Sequence, residues 1–460
     1  QGVGASRPWA GAPHAPPQPG QVRAAAAAQG TGPAAPGESS RPGLQANAAQ
    51  LAILAREKAD PALGLAHLES VSIELTGALD RKALQASVRG LFDAHDALRA
   101  SFDAEAGRME IADVGACEPD IRWVDAGPDS ATAWVEADMR RPFDLARAPL
   151  VRFAVLALAP LRHIVVMTAH AAVCDGWSLD VMIEDLARGY RAAGTGGAPG
   201  RRPDMQFGRY AEWRRQRSQA QLADASAFAS RTGASTGAFE ERAPAAAAGA
   251  QLDRMVLSID GRELRGLKEA SLAWRCSLFN TLFAAFHATL HRHPDGKRAS
   301  VVTPFAGQSA ANMPHLVGAC ADIRSIRTTA GSSFPDLLAE LQDELVSALE
   351  QQQDSQVDGA GIAFVHTKRL KAAQIDFGGL GVQYRFNRKA HEVFRLKVDV
   401  LEFDEKLAIE FAYKPQQLAP SMVKKVFSDY AQILQTIAGS VRGGPAGAPE
   451  AARVLEISAG

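Results

Sequence analysis

The chain has 460 residues, 47% of them apolar, and carries 50 basic against 51 acidic side chains. That length supplies two or three domains with large cores, and the balanced charge excludes an electrostatic case for nucleic acid or an anionic membrane. No run of about 18 apolar residues occurs and no basic segment leads into an apolar core at the N-terminus, so neither a membrane span nor a secretory signal is expected, and the chain is placed in the cytoplasm.

Residues 1–45 are low-complexity Ala, Pro and Gly. Such a segment buries too little apolar surface to offset its ordering entropy, so it reads as an extended linker tethering the chain to something upstream. Residues 68–77, LESVSIELTG, alternate as a strand does. Residues 80–102 place Leu84, Val88, Leu91, Phe92, His95 and Leu98 at helical spacing, with Asp80 as N-cap. LVRFAVLAL and HIVVMTAH read as paired strands, and 178–193 as an amphipathic helix that Ser178 caps. A second set of elements begins near 250: a strand (250–260), a helix (279–293), a strand into a glycine turn (299–307), a long helix from 333, a hairpin with Asp-Glu-Lys at its turn, and a last helix (419–439). The expected division is a linker (1–45), an N-terminal half (46–225), a C-terminal half (226–440) and a tail (441–460), with the two α+β halves joined near 205–245. Cys117, Cys174, Cys276 and Cys320 show no CxxC spacing, so free thiols are expected rather than disulfides or zinc.

The stretch AHAAVCDGWS (169–178) follows an apolar strand and carries the chemistry-bearing residues. An imidazole is the side chain best suited to proton transfer near neutral pH, and His170 is expected half-buried at a cleft. Asp175-Gly176 permits a tight turn, because Gly accepts positive φ. Cys174 has no neighbouring cation to lower its pKa and reads as an inert buried thiol; Trp177 reads as core.

The order of residues here resembles the HHxxxDG signature of condensation domains from nonribosomal peptide synthetases and hybrid polyketide–peptide assembly lines. AHDALRASF (94–102), MQFGRYAEWRRQ (205–216), TPFAGQS (303–309) and LVGACADIRSIR (316–327) resemble further motifs of that family, in its order, across about residues 46–440. The resemblance implies an α+β, V-shaped pseudo-dimer of two chloramphenicol-acetyltransferase-like halves around a central tunnel. An acyl thioester donor and an amine or hydroxyl acceptor enter it on phosphopantetheine arms of partner carrier proteins, and an amide or ester forms. Acyl and peptidyl carriers and neighbouring synthetase domains are the implied partners, with no nucleic acid and no membrane, and the isolated domain is expected to be monomeric.

Counting back from Asp175 puts the family's second histidine at Ala171, and His170 at the first. Ala171 has no proton to give or take, a loss of about 10²–10⁴-fold in rate. If the segment is extended, His170 faces away from Ala171 and cannot stand in. The resemblance gives Asp175 a structural role through an ion pair with an Arg, but Gln308 stands where that Arg is found, and no other partner is evident. Gly176 serves the turn and close approach of the substrate arm. Trp177, Ser178, Gln308, Tyr384 and Asn387 are the candidate tunnel residues. Ala319 and Asp322 also depart from the family pattern, and its first motif survives only as NAAQLAIL (47–54). Two explanations of Ala171 stand open: a substitution made in a competent parent, or a natural difference in a domain that gates or passes on chains. A free-standing CoA-dependent acyltransferase fits the histidine spacing less well. No nucleotide-binding glycine loop, GxSxG elbow or metal-ligand cluster is evident, so no bound cofactor or metal is expected.

Overall fold

The computed structural model describes residues 44–196, 201–225, 252–293, 300–329, 333–350, 361–370 and 374–440. The tail at 441–460, residues 1–43 of the expected linker and the stretch 226–245 of the connection lie outside the described residues.

The N-terminal half runs β1 (Leu44–Gln45), α1 (Ala48–Ala59), β2 (Leu68–Thr76), α2 (Arg81–Ala94), β3 (Ala100–Asp103), β4 (Arg108–Ile111), β5 (Ile121–Asp125), α3 (Ala131–Asp138), β6 (Val151–Ala159), β7 (Arg162–His170), α4 (Gly176–Thr195) and α5 (Phe207–Ala225). The C-terminal half runs β8 (Asp253–Asp260), α6 (Gly261–Ala273), α7 (Leu278–His291), β9 (Val301–Phe305), α8 (Gly307–Ala310), β10 (Asp322–Ile326), α9 (Phe334–Glu350), β11 (Ile362–Lys368), β12 (Gly381–Phe386), β13 (Leu396–Glu402), β14 (Lys406–Tyr413) and α10 (Pro420–Ser440).

Each half is built around one large sheet, and the N-terminal half adds a small one of order β1-β4-β3. The first large sheet has the order β12-β2-β7-β6-β5, and the second β10-β9-β11-β13-β14-β8. The apolar runs of β6 and β7 pair antiparallel and are buried along most of their length, covered by α2 and α4. In the second half α10 packs on α6 and α7, which close over the sheet carrying Phe364 and Phe411. The halves are not independent. β12 comes from the second half of the chain but pairs with β2 of the first sheet, Tyr384 opposite Ile73. Leu316, Val317, Cys320, Ile375 and Phe377 lie in the first half's core.

Three local expectations change. The helix from residue 81 ends at Ala94 rather than running to 102; His95 takes extended backbone, a short 3₁₀ turn covers Asp96–Arg99, and β3 follows. Asp96 leaves the helix because it is needed elsewhere: its carboxylate accepts from the Phe207 and Gly208 N–H groups at 2.7 and 3.0 Å and so caps α5. That helix fills the first part of the expected connection. The cap of α4 is Asp175, not Ser178. Leu44–Gln45, placed at the linker's end, pairs with β4. No described helix is long and apolar enough to cross a membrane.

Candidate functional site

β7 ends at His170, the chain turns through 171–173, and Asp175 starts α4. The Asp175 carboxylate is buried and takes donors from three segments. Ser178 donates through its N–H at 2.8 Å and its hydroxyl at 2.7 Å. Gln308 Nε2 donates at 3.0 Å, and the Cys320 and Ala321 N–H groups at 3.1 and 3.0 Å. Burial pushes the carboxyl above its ordinary range, and these donors oppose that. The partner not evident in the sequence is therefore Gln308 itself: an uncharged amide, with two backbone amides, takes the place of an ion pair. The Gly318 N–H donates to Ser178 Oγ at 3.0 Å, which ties the 316–321 loop to the start of α4. A Cβ on Gly318 would sit 2.0 Å from the Phe207 ring, so only glycine allows this approach. Gly176 is different: its φ is not positive, and nothing lies within 4 Å of where its Cβ would be. It is the first residue of α4, facing open space.

His170 is not half-buried but 1% exposed. Its Nδ1 accepts from the Ala172 N–H at 3.2 Å, and its Nε2 lies 2.9 Å from Glu57 Oε1. The same oxygen lies 2.6 Å from His67 Nδ1. Burial opposes ionisation of Glu57, but the two imidazoles outweigh it and pull the carboxyl down to about 2. His67 is pushed below its ordinary value by burial, against the attraction of Glu57, so it is neutral at pH 7. Glu57 reaches these rings because Gln50, Leu54 and Glu57 share one face of α1 at i, i+4 and i+7. Gln50 closes a capping box with Asn47 and donates to the Ala172 carbonyl at 2.8 Å, so the reduced NAAQ motif still holds the loop. Neither Glu57 nor His67 was singled out from the sequence, where they stand 10 apart and Glu57 stands 113 from His170. One potential metal-ligand atom from each of Glu57, His67 and His170 lies within 4.8 Å of the other two, a cluster not expected from the spacing.

The remaining candidates divide. Ser178 and Gln308 are fully buried; Ser178 Oγ and Gln308 Nε2 bond Asp175, while Gln308 Oε1 has no partner among the described residues. Trp177 is 40% exposed, not core, and donates to the Pro314 carbonyl at 2.8 Å. Asn387 accepts from the Ser72 hydroxyl and donates to Ser70 Oγ, both at 2.8 Å, which fastens β12 to β2. Tyr384 donates to the Leu370 carbonyl at 2.7 Å, and burial pushes its phenol to about 12. Asp322 is explained by Arg214, which reaches it at 3.0 Å from α5. Cys174 is buried, its thiol pushed well up by burial, as its sequence surroundings implied.

A family model, the condensation domain, matches residues 45–357. The chain belongs to the condensation domain family. This condensation domain is 26% identical over 390 residues to tyrocidine synthase 3 of Brevibacillus parabrevis, covering 79% of the chain and 6% of that protein. It is 29% identical over 310 residues to the phosphinothricin tripeptide synthetase PhsC of Streptomyces viridochromogenes, covering 62% of the chain and 27% of that protein. The domain thus spans a small part of the curated relatives it matches. Its fold is that of the first condensation domain of the calcium-dependent antibiotic synthetase in complex with a substrate analogue, at 20% identity and TM-score 0.70, covering 91% of this chain and 99% of that one. The X-domain from teicoplanin biosynthesis matches at 20% identity and TM-score 0.69, covering 92% and 97%. The fold is therefore the two-halved, chloramphenicol-acetyltransferase-like one that the motifs implied.

Proposed function

We propose that this domain joins a carrier-bound acyl thioester to an amine or hydroxyl acceptor, and does so slowly because position 171 supplies no imidazole. The observation that supports the reading is the contrast within one loop. Asp175 keeps five hydrogen-bond donors, so the frame that presents position 171 is intact. Ala171, partly exposed at the end of β7, is a methyl group in that frame. Amide bond formation in general belongs to the family; the impairment is specific to this chain. Holding two tethered reactants together supplies much of the rate by itself, so residual turnover is expected rather than none. The substrates bring their own phosphopantetheine, carried by acyl and peptidyl carriers of neighbouring synthetase modules, and no cofactor is bound.

The test is intact-protein mass spectrometry of loaded donor and acceptor carriers with this chain and with Ala171→His. Condensation is expected from both, with the His form about 10²-fold faster or more. Product from neither, with carriers still bound, favours a gating domain that holds or passes on chains.

A further inference from the structure

We propose that Asp180 and Arg369 form a substrate subsite for a neutral group that both donates and accepts a hydrogen bond, an amide or a hydroxyl on the acyl chain; the inference rests on the condensation reading above. The two side chains come from different halves. Asp180 lies on α4 four residues after Gly176, so the two share one helix face. That face is not packed into the core. Gly176 and Trp177 are exposed and Asp180 and Glu184 half-buried, whereas Leu179, Val181, Met182 and Ile183 are buried. The helix starts from the loop that presents position 171, so Asp180 stands one turn along its open face.

Arg369 follows β11 of the second sheet, and its backbone is fixed from two sides. Its N–H donates to the Glu402 carbonyl at 2.9 Å, at the end of β13. The neighbouring Leu370 carbonyl accepts from the Tyr384 hydroxyl at 2.7 Å, which ties the segment to β12. Phe386, on the same side of β12 as Tyr384, lies against the guanidinium, whose Cζ is 3.4 Å from the ring centroid. Such stacking holds the guanidinium by its face and leaves its N–H donors, which lie in its plane, for another partner.

The side chains of Arg369 and Asp180 make no hydrogen bond or ion pair among the described residues. Asp180 Oδ1 is buried, but Oδ2 and the guanidinium nitrogens keep contact with solvent, so a ligand can reach both groups. Each feels the other's charge. Burial pushes the Asp180 carboxyl up to about 7 and the Arg369 guanidinium below its ordinary value, and their attraction opposes both shifts. Two opposite charges drawn out of water, near enough to attract yet not in contact, are each short of a hydrogen bond. The carboxylate calls for a donor and the guanidinium for an acceptor. A ligand group with a net charge would satisfy one and be repelled by the other. A neutral amide or hydroxyl serves both: its N–H or O–H donates to Asp180, and its oxygen accepts from Arg369. A plain alkyl chain serves neither and leaves both charges desolvated, so the subsite rejects it.

The test offers S-acyl-pantetheine probes of equal chain length to the full chain. One carries a plain alkanoyl group, and the others a hydroxyl or an amide moved along the chain. Binding is read by isothermal titration at pH 8, where the Asp180 carboxyl is ionised. At least one polar probe is expected to bind about 10–100-fold more tightly than the alkanoyl probe. Asp180→Leu and Arg369→Met are each expected to cut that preference about tenfold, while alkanoyl binding shows that the fold survives. The combined variant, which leaves no lone buried charge, is expected to abolish it. Whether the amide or the hydroxyl is preferred tells a peptidyl chain from a hydroxyacyl one. Equal affinity for all probes shows that water alone fills the space and overturns the inference, as do a preference that the combined variant keeps and binding of no probe. A preference that depends on the pair, with no product from loaded carriers even in Ala171→His, supports the subsite and removes the condensation reading.

Discussion

Asp175 and Glu57 are carboxylates that the fold draws to either side of the same turn. Asp175 takes five donors spread over α4, the 307–310 turn and the 320–321 backbone. Glu57 takes two imidazoles on one oxygen. Burial dominates the first, whose carboxyl rises, whereas the imidazoles dominate the second, whose carboxyl falls to about 2. Apart from Gln308 Oε1, which has no partner among the described residues, the groups around Asp175 are each engaged by a neighbour, and what they make is a fixed loop. The set around Glu57 leaves one nitrogen of His67 without a partner among the described residues. A hydrogen-bonded carboxylate is thus raised by burial where its donors are backbone and amide, and held in the ionised form where they are imidazoles.

The sharpest way to break this contrast is to remove the Asp175 carboxylate. Asp175→Ala leaves the Cys320 and Ala321 amides and Gln308 Nε2 without their acceptor, at an expected cost of about 3–5 kcal/mol in urea unfolding. Asp175→Asn tests whether volume or acceptor capacity matters. Whichever way the new amide turns, its NH₂ meets N–H groups, from Ser178 on one side or Cys320 and Ala321 on the other, so it is also expected to be strongly destabilising. A mild Asp175→Asn would show that the loop does not depend on the carboxylate.

Glu57→Gln is the smaller perturbation. The new side chain keeps an oxygen that accepts from both rings and loses only the charge. The carboxyl is lowered from 4.5 to about 2, so its stabilisation is present above pH 4.5 and is lost as pH falls toward 2. Discounted for the solvent contact the group keeps, this amounts to about 2 kcal/mol at pH 6. The gap between the chain and Glu57→Gln, measured by chemical unfolding, is expected to close as pH drops below 4.5. A gap that does not change with pH would mean that the imidazoles do not hold the ionised form.

The same contrast explains what was legible in the sequence. β7, α4 and the Asp-Gly turn follow from local rules: an apolar run, helical spacing and a capping acid, although the cap proved to be Asp175 rather than Ser178. The ordered motifs make sense together in the fold, since Asp96 caps the helix of the next motif and Tyr210 on that helix donates to the Cys320 carbonyl at 3.4 Å. Gln308 was named at the position of the expected Arg, but its bond to Asp175 was missed because an amide there carries no charge to pair, and the two stand 133 residues apart. Glu57 and His67 were hidden because α1 shows no strong amphipathic stripe and their partners arrive through strand register. The signal that finds them is a Gln-Leu-Glu stripe at i, i+4, i+7, followed by pairing β2 with β7, which sets position 67 against 171.

Asp180, five residues beyond Asp175, gives the least perturbing test, because its carboxylate has neither set of donors. Its Oδ1 is buried without a partner among the described residues, and burial pushes the carboxyl up to about 7, only partly offset by the Arg369 charge. Its sign is opposite to that of Glu57. Between about pH 4 and 7 the folded chain holds a proton that the unfolded chain has released, so this contribution to stability is present at low pH and is lost as pH rises through 7. Asp180→Asn removes the titration. Once the lost attraction to Arg369 is set against the relieved burial, a gain on the order of 1 kcal/mol is expected at pH 8 and none at pH 4. If Asp180→Asn is instead destabilising at pH 8, the Arg369 charge outweighs burial, and Asp180 belongs with Glu57 among the carboxylates whose neighbours hold them in the ionised form.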